Sequence, residues 1–137
     1  MCGITGLWQL DGAPVNRSTL QAMTDSIAHR GPDGEGVFAD GSLGLGHRRL
    51  AILDLSPAGH QPMSYGDGRY WITYNGEVYN FLELQHELET LGHRFQSSSD
   101  TEVILAAFAQ WGRDCLLRFN GMWAFAIWDA HERTLFL

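Results

Sequence analysis

The chain has 137 residues and is acidic, with 16 Asp and Glu side chains against nine basic ones, for a net charge of −7. Its length suffices for one modest domain with a hydrophobic core, and its 45% hydrophobic and 18% charged content is typical of a globular protein. All nine basic residues are Arg, and the absence of a basic stripe argues against binding to nucleic acid or anionic membranes.

In the first half of the chain, apolar periodicity and turn residues predict strands around one helix. Residues 3–10 are largely apolar and β-prone, which predicts a buried strand that ties the N-terminus into a sheet. A helix is predicted between Asn16, a suitable N-cap, and Gly31, a suitable stop. The remaining predictions here are a turn-rich loop over residues 29–36, a hairpin of residues 37–40 and 43–48, and a strand over residues 50–55.

The second half predicts two helices between further strands. A β-prone run at residues 70–74 leads directly into Asn75, Gly76 and Glu77. The other predicted elements are a long loop over residues 56–68, helices over 81–91 and 101–111, and a final hairpin of residues 122–128 and 134–137. Strands with helices set between them indicate the α+β class. Because the sequence ends within the last predicted strand, we expect residues 2–137 to be a truncated domain of a longer protein.

Cys2 directly follows Met1, and aminopeptidases remove Met1 when the next residue is small. Cys2 would then carry a thiol and a free α-amine, and an amine that activates a neighbouring nucleophile is one route to covalent catalysis. The alternative is an unreactive thiol near a frayed terminus. Cys115, the second cysteine, is expected to pack in the core. The cysteines and histidines show no CxxC, HxH or HExxH spacing, so no metal site is expected.

The N-terminal sequence bears on the compartment of the protein. It has no basic segment followed by an apolar run, so no signal peptide is expected, and no apolar stretch is long enough to span a bilayer. We therefore expect a cytoplasmic location, where reducing conditions would keep Cys2 a thiol.

Four segments in order carry a family resemblance. They are MCGI at residues 1–4, GHRRLAILDLSPAGHQPM at 46–63, YNGEVYN at 74–80 and SSDTEVIL at 98–105. Together they resemble the class II glutamine amidotransferases, whose glutaminase domain is an N-terminal-nucleophile hydrolase. Within that class the chain is most similar to the N-terminal domain of the glutamine-hydrolysing asparagine synthetases. The resemblance implies an αββα sandwich of antiparallel sheets, here incomplete at the C-terminus.

The resemblance also implies the catalytic residues. Cys2 would attack the side-chain amide of glutamine, and Asn75 with Gly76 would form the oxyanion hole through an amide side chain and a backbone N–H. The alternative for Asn-Gly is a type I′ hairpin turn, the commonest interpretation of that pair in isolation.

The resemblance implies five further residues that would bind glutamine. Arg49 would hold the substrate carboxylate, and Arg48 would face the other side of an alternating strand. An ordinary surface ion pair is the alternative for Arg49. Asp100 and Glu77 would hold the ammonium group, although Asp100 could cap a helix and Glu77 could be a solvated turn residue. The remaining two, which would line the pocket through their backbone or else belong to a strand core, are Leu50 and Ile52.

The function implied is hydrolysis of glutamine to glutamate and ammonia. In a longer parent, a C-terminal synthetase domain would use that ammonia, with ATP and magnesium, to make asparagine from aspartate. The chain has no P-loop or matching glycine-rich motif, so no cofactor is expected in it. Glutamine and the synthetase domain are the expected partners, and a homodimer is compatible. The alternatives are an amidotransferase with another acceptor and a catalytically silent, truncated glutamine-binding domain.

Overall fold

Two antiparallel sheets form the centre of the protein. The computed structural model describes residues 1–52 and 56–137. The first sheet has the order β1-β3-β2 and the second the order β4-β5-β6-β7. Their strands are β1 (Gly3–Trp8), β2 (Gly34–Asp40), β3 (Leu43–Arg49), β4 (Met63–Tyr65), β5 (Tyr70–Val78), β6 (Gly121–Asp129) and β7 (Thr134–Phe136). All pairings are antiparallel, which confirms the predicted α+β class.

Helices cover the outer faces of both sheets. Helix α1 (Arg17–Ser26) packs on the first sheet. Helix α3 (Asp100–Trp111) packs on the second sheet, and α2 (Phe81–Thr90) packs against α3 in the same core. The inner faces of the sheets meet through a small core of Leu43, Leu45, Ala126 and Trp128. The layers therefore follow the predicted helix–sheet–sheet–helix order.

Alternation along β3 explains how its two faces differ. Leu43, Leu45 and His47 are buried toward the second sheet, and the intervening glycines face α1. A Cβ atom on Gly46 would lie 2.2 Å from the Thr24 Oγ1 atom, so only glycine allows α1 to approach the sheet this closely.

Several element boundaries differ from the predictions. Strand β2 begins at Gly34 inside the predicted turn-rich loop, and β4 lies inside the predicted long loop. Helix α1 ends at Ser26 rather than near Gly31, and a short 3₁₀ turn follows it. The predicted strand at residues 50–55 is wrong for residues 50–52, because β3 stops at Arg49; residues 53–55 lie outside the described part of the chain.

Strand β1 is also less buried than predicted. It ends at Trp8, two residues early, and of its residues only Gly3 is fully buried. The physical reason is that β1 forms an edge of its sheet and pairs only with β3.

No helix within residues 1–52 and 56–137 is long and apolar enough to cross a membrane.

Candidate active site

A cleft of about 380 Å³ opens where the start of β1, the end of β3, the middle of β5 and the start of α3 meet. The elements that form it are far apart in sequence, so only the folded chain can bring their side chains together. The cleft is lined by all eight of the predicted site residues, which are Cys2, Arg49, Leu50, Ile52, Asn75, Gly76, Glu77 and Asp100.

The thiol of Cys2 is held against the chain that follows β3. The Leu50 N–H donates to the Cys2 Sγ atom over 3.3 Å, and Sγ lies 3.5 Å from the Leu50 carbonyl oxygen. Arg30 Nε donates to the Cys2 carbonyl oxygen over 3.0 Å, and the Asp33 carboxylate accepts from Ala51 N–H over 2.9 Å. These contacts hold the Cys2 thiol and the backbone of Leu50 and Ala51 in place.

In the described part of the chain, one edge of β5 beyond Ile72 has no neighbouring strand where it lines the cleft. Strand β4 pairs with β5 no further than Ile72, so backbone groups beyond that point need other partners. Tyr74 N–H donates to the Gln61 side-chain oxygen over 2.7 Å, and Val78 N–H donates to Asp100 Oδ2 over 3.0 Å. Gly76 lies midway between those two residues, so strand alternation directs its N–H to the same open side.

Asn75 supplies a second donor beside that backbone N–H. Its side chain shares a face of β5 with Thr73, whose hydroxyl donates to the Gly46 carbonyl oxygen over 2.9 Å, so it points toward the sheet that carries Cys2. Within the described part of the chain the Asn75 amide forms no hydrogen bond. An unoccupied amide and a free backbone N–H beside a thiol are what stabilisation of an oxyanion requires.

The hairpin-turn interpretation of Asn75 and Gly76 is wrong. Both residues lie within β5 and pair with Ala124 and Trp123 of β6. Glycine is required at position 76 because a Cβ atom there would lie 2.3 Å from the Met122 carbonyl oxygen. The same finding shows that Glu77 is not a turn residue.

The two adjacent arginines at the end of β3 point to different environments. Arg48 forms ion pairs with Asp25 and Glu35, away from the cleft. Arg49 lines the cleft, and its Nη1 atom donates to the Ser56 carbonyl oxygen over 2.9 Å. A guanidinium at the cleft wall suits a substrate carboxylate, since it can donate two parallel hydrogen bonds.

Asp100 is a buried carboxylate at the start of α3, with only 4% of its surface exposed. The predicted capping role is wrong, because the N-cap is Ser99, whose hydroxyl accepts from Thr101 N–H over 3.1 Å. The Asp100 carboxylate instead reaches β5, where Oδ2 accepts from the Tyr74 hydroxyl over 2.7 Å. Burial raises the pKa of Asp100, and the ion pairs among described residues do not include it. A bound cation would favour its ionised form.

Leu50 and Ile52 line the cleft in different ways. Leu50 contributes backbone groups to the thiol, and Ile52 is 65% exposed, so the strand-core alternative is wrong for Ile52. Among the lining residues that the motifs did not single out are Gln61 and Tyr74. Both lie within the quoted segments, but their roles depend on long-range hydrogen bonds that spacing does not reveal.

His47 is fully buried beside the cleft. Its burial should make the free energy of unfolding depend on pH. Its Nε2 atom bonds the Tyr74 carbonyl oxygen at 3.1 Å, while its Nδ1 atom is buried with no partner in the described part of the chain. Burial lowers the pKa of His47 to about 4. The unfolded chain therefore binds the additional proton first, and the native state loses about 3 kcal/mol as the pH falls from about 6.5 to about 4.

Urea unfolding at pH 7.5, 5.5 and 4.5 would measure this effect. His47→Gln should flatten the dependence of the unfolding free energy on pH, although it lowers the stability at pH 7.5. The matched control is His86→Gln, because His86 is exposed on α2. Equal pH dependence in the wild type and His47→Gln would contradict the assignment.

Within residues 1–52 and 56–137, no group of three or more His, Cys, Asp or Glu side chains is arranged to hold a metal ion. The groups in the cleft that can bind or react with a ligand are its thiol, its amide and backbone donors, and its charged side chains.

Comparisons with known proteins give one family and a consistent group of relatives. Residues 1–137 match the model of the glutamine amidotransferase domain. The chain is 41% identical over 139 residues to asparagine synthetase [glutamine-hydrolyzing] 1 of Bacillus subtilis, covering 99% of this chain and 22% of that protein. It is 44% identical over 156 residues to a putative asparagine synthetase [glutamine-hydrolyzing] 2 of Methanocaldococcus jannaschii, covering 99% of this chain and 29% of that protein. The chain therefore spans less than a third of the length of these relatives.

A solved structure shares the fold. Glutamine phosphoribosylpyrophosphate amidotransferase from B. subtilis, complexed with ADP and GMP, superposes with a TM-score of 0.77 at 23% sequence identity. The match covers 95% of this chain and 35% of that one.

Proposed function

The chain belongs to the glutamine amidotransferase domain family, and from that premise we propose that it hydrolyses glutamine to glutamate and ammonia through a thioester on Cys2. The observation that carries the proposal is the convergence at one cleft of the Cys2 thiol, the Asn75 amide, the Gly76 backbone and charged side chains of both signs. Met1 also lines the cleft and is 69% exposed, so it is open to removal.

In the proposed mechanism, removal of Met1 gives Cys2 a free α-amine that takes the proton of its own thiol. The thiolate attacks the side-chain carbonyl carbon of glutamine, and the oxyanion accepts hydrogen bonds from the Asn75 amide and Gly76 N–H. The carbon–nitrogen bond breaks as the ammonium form of the α-amine protonates the amide nitrogen, which leaves as ammonia, and the thioester carbonyl re-forms. Water, deprotonated by the same amine, then attacks the thioester carbonyl carbon. The carbon–sulfur bond breaks, glutamate is released, and the proton returns to the Cys2 sulfur atom.

Charge complementarity supports the proposed substrate. Arg49 would bind the α-carboxylate of glutamine, while Asp100 and Glu77 would bind its α-ammonium group. The backbone near Leu50 and Ile52 would line the pocket around the methylene groups. An α-amino acid with an uncharged amide side chain matches this arrangement, because its α-carboxylate and its α-ammonium group would each lie next to a side chain of opposite charge.

We further propose that the ammonia serves asparagine synthesis in a longer protein. The relatives that the chain matches are named glutamine-hydrolysing asparagine synthetases, and it spans 22% and 29% of the length of two of them. The conversion of aspartate with ATP and magnesium would belong to a partner synthetase domain, and this chain would need no cofactor of its own. A cytoplasmic location and assembly into a homodimer are part of the same proposal.

Covalent labelling would test the function directly. We expect mass spectrometry of the purified protein to show loss of Met1 and, after treatment with 6-diazo-5-oxo-norleucine, a single adduct that maps to Cys2. This electrophile resembles glutamine, so labelling requires an intact cleft as well as a thiol. Cys115 is the internal control, because it is fully buried and burial raises its pKa to about 11.

A missing adduct could result from retained Met1 alone, so a second preparation is needed. If Met1 is retained, the chain can be prepared with Cys2 exposed by cleavage of an N-terminal fusion. Absence of both the adduct and glutamate release from that form would overturn the proposed function.

A further inference from the structure

Tyr74 is fixed in place by three hydrogen bonds to distant parts of the chain. Its N–H donates to Gln61 Oε1 over 2.7 Å, its carbonyl oxygen accepts from His47 Nε2 over 3.1 Å, and its hydroxyl donates to Asp100 Oδ2 over 2.7 Å. Tyr74 is 3% exposed, and His47 and Gln61 are also buried. The direction of the hydroxyl is therefore set by the fold and not by a ligand.

The hydroxyl of Tyr74 can only be the donor in its bond to Asp100. Burial and the neighbouring Asp100 charge raise the pKa of Tyr74 well above its ordinary value, so the phenol stays protonated. The same Oδ2 atom accepts from Val78 N–H over 3.0 Å. Two neutral donors thus orient the carboxylate without neutralising its charge, and both favour its ionised form.

A neutral donor leaves the negative charge of Asp100 available to a ligand. No ion pair among the described residues involves Asp100, although it lines the cleft beside Asn75 and Gly76. A buried carboxylate that keeps its charge needs a cation, and the substrate's ammonium group would supply one.

We propose that Tyr74 is a positioning residue that orients Asp100 for the α-ammonium group of glutamine, and so makes the site select α-amino acids over amides that lack the amino group. This inference rests on the proposed function and deepens it. Tyr74 itself acts through Asp100 and needs no contact with the reacting atoms.

The test compares two substrates that differ only in the α-amino group. L-Glutamine and 4-carbamoylbutanoate share the carboxylate, the methylene groups and the side-chain amide. Tyr74→Phe removes the hydroxyl and keeps the ring, so the fold should survive. We expect kcat/KM for glutamine to fall about 10- to 100-fold, chiefly through KM, because a hydrogen bond to a charged group is lost. For 4-carbamoylbutanoate the change should be under about threefold, because that amide offers no ammonium group to Asp100.

Two controls separate positioning from general damage. Tyr65→Phe removes a hydroxyl bonded to His93 Nδ1 at 2.6 Å, outside the cleft, and should leave kcat/KM unchanged for both substrates. In an Asp100→Asn background, Tyr74→Phe should cause no further loss in selectivity, because the residue on which it acts is already altered.

The outcomes distinguish this inference from the function on which it rests. A wild-type protein that releases no ammonia from glutamine would overturn the proposed function and the inference together. The inference alone would be overturned if the wild-type protein is active and Tyr74→Phe lowers kcat/KM equally for both substrates. It would also be overturned if the variant lowers kcat/KM for neither substrate.

Discussion

Replacing Cys2 by alanine should reduce glutamate release from glutamine by a factor of about 10⁴ or more, while the fold and its stability stay unchanged. The reason is that the proposed pathway runs through a bond to the Cys2 sulfur atom, and no second thiol lies at the cleft. A coupled glutamate assay gives the rate, and circular dichroism with urea unfolding tests the fold. The Cys2 side chain is half-buried, and within residues 1–52 and 56–137 its thiol bonds only Leu50, so little packing is lost.

The other cysteine provides the matched control. Cys115→Ala removes a thiol that is fully buried in the helical core, so it should lower stability slightly and leave kcat unchanged. Glutamate release by Cys2→Ala at the wild-type rate would exclude the thioester mechanism. Loss of activity in Cys115→Ala with retained folding would instead point to a role for the buried thiol.

Replacing Asn75 by alanine should lower kcat for glutamine hydrolysis by about 10²–10³-fold with little change in KM. The Asn75 amide forms no hydrogen bond within the described part of the chain, so its donors are available to the oxyanion that develops on the substrate. An interaction made only in the transition state affects kcat and not substrate binding. Steady-state kinetics with glutamine would measure both constants.

A second asparagine controls for the loss of an amide. Asn120 is exposed before β6, outside the cleft, and Asn120→Ala should leave both constants unchanged. An increase in KM at constant kcat in Asn75→Ala would show that Asn75 binds the ground state, and would move the oxyanion role to Gly76 alone. Unfolding measurements should find both variants close to the wild type in stability.

Local patterns predicted much of the fold correctly. Asn16 caps α1 by accepting from Ser18 and Thr19 N–H, and the hairpin of β2 and β3 turns at Gly41 and Ser42, as residue preferences predict. The opposite directions of Arg48 and Arg49 likewise follow from strand alternation. These features depend on neighbours a few residues away, which is the range over which sequence preferences act.

The local alternatives for two site segments were wrong, because distant partners outweighed local preference. Asn-Gly ordinarily favours a turn, yet nine residues of β5 pair with β6 and carry Asn75 and Gly76 through as strand. Asp100 has the chemistry of a helix cap, but Ser99 takes that position and Tyr74 draws the carboxylate toward β5. In both cases, hydrogen bonds across the domain overrode the preference of the local sequence.

The four motifs of the sequence were sufficient to name eight residues that the fold brings to the lining of one cleft. The sequence could not show which of their hydrogen-bonding groups stay open to a ligand and which are held by other residues. That depends on β4 ending its pairing at Ile72, which leaves Gly76 N–H open, and on Gln61, His47 and Asp100 converging on Tyr74 from three separate segments. Such contacts join residues 13 to 27 positions apart, and only chain folding brings them within hydrogen-bond distance.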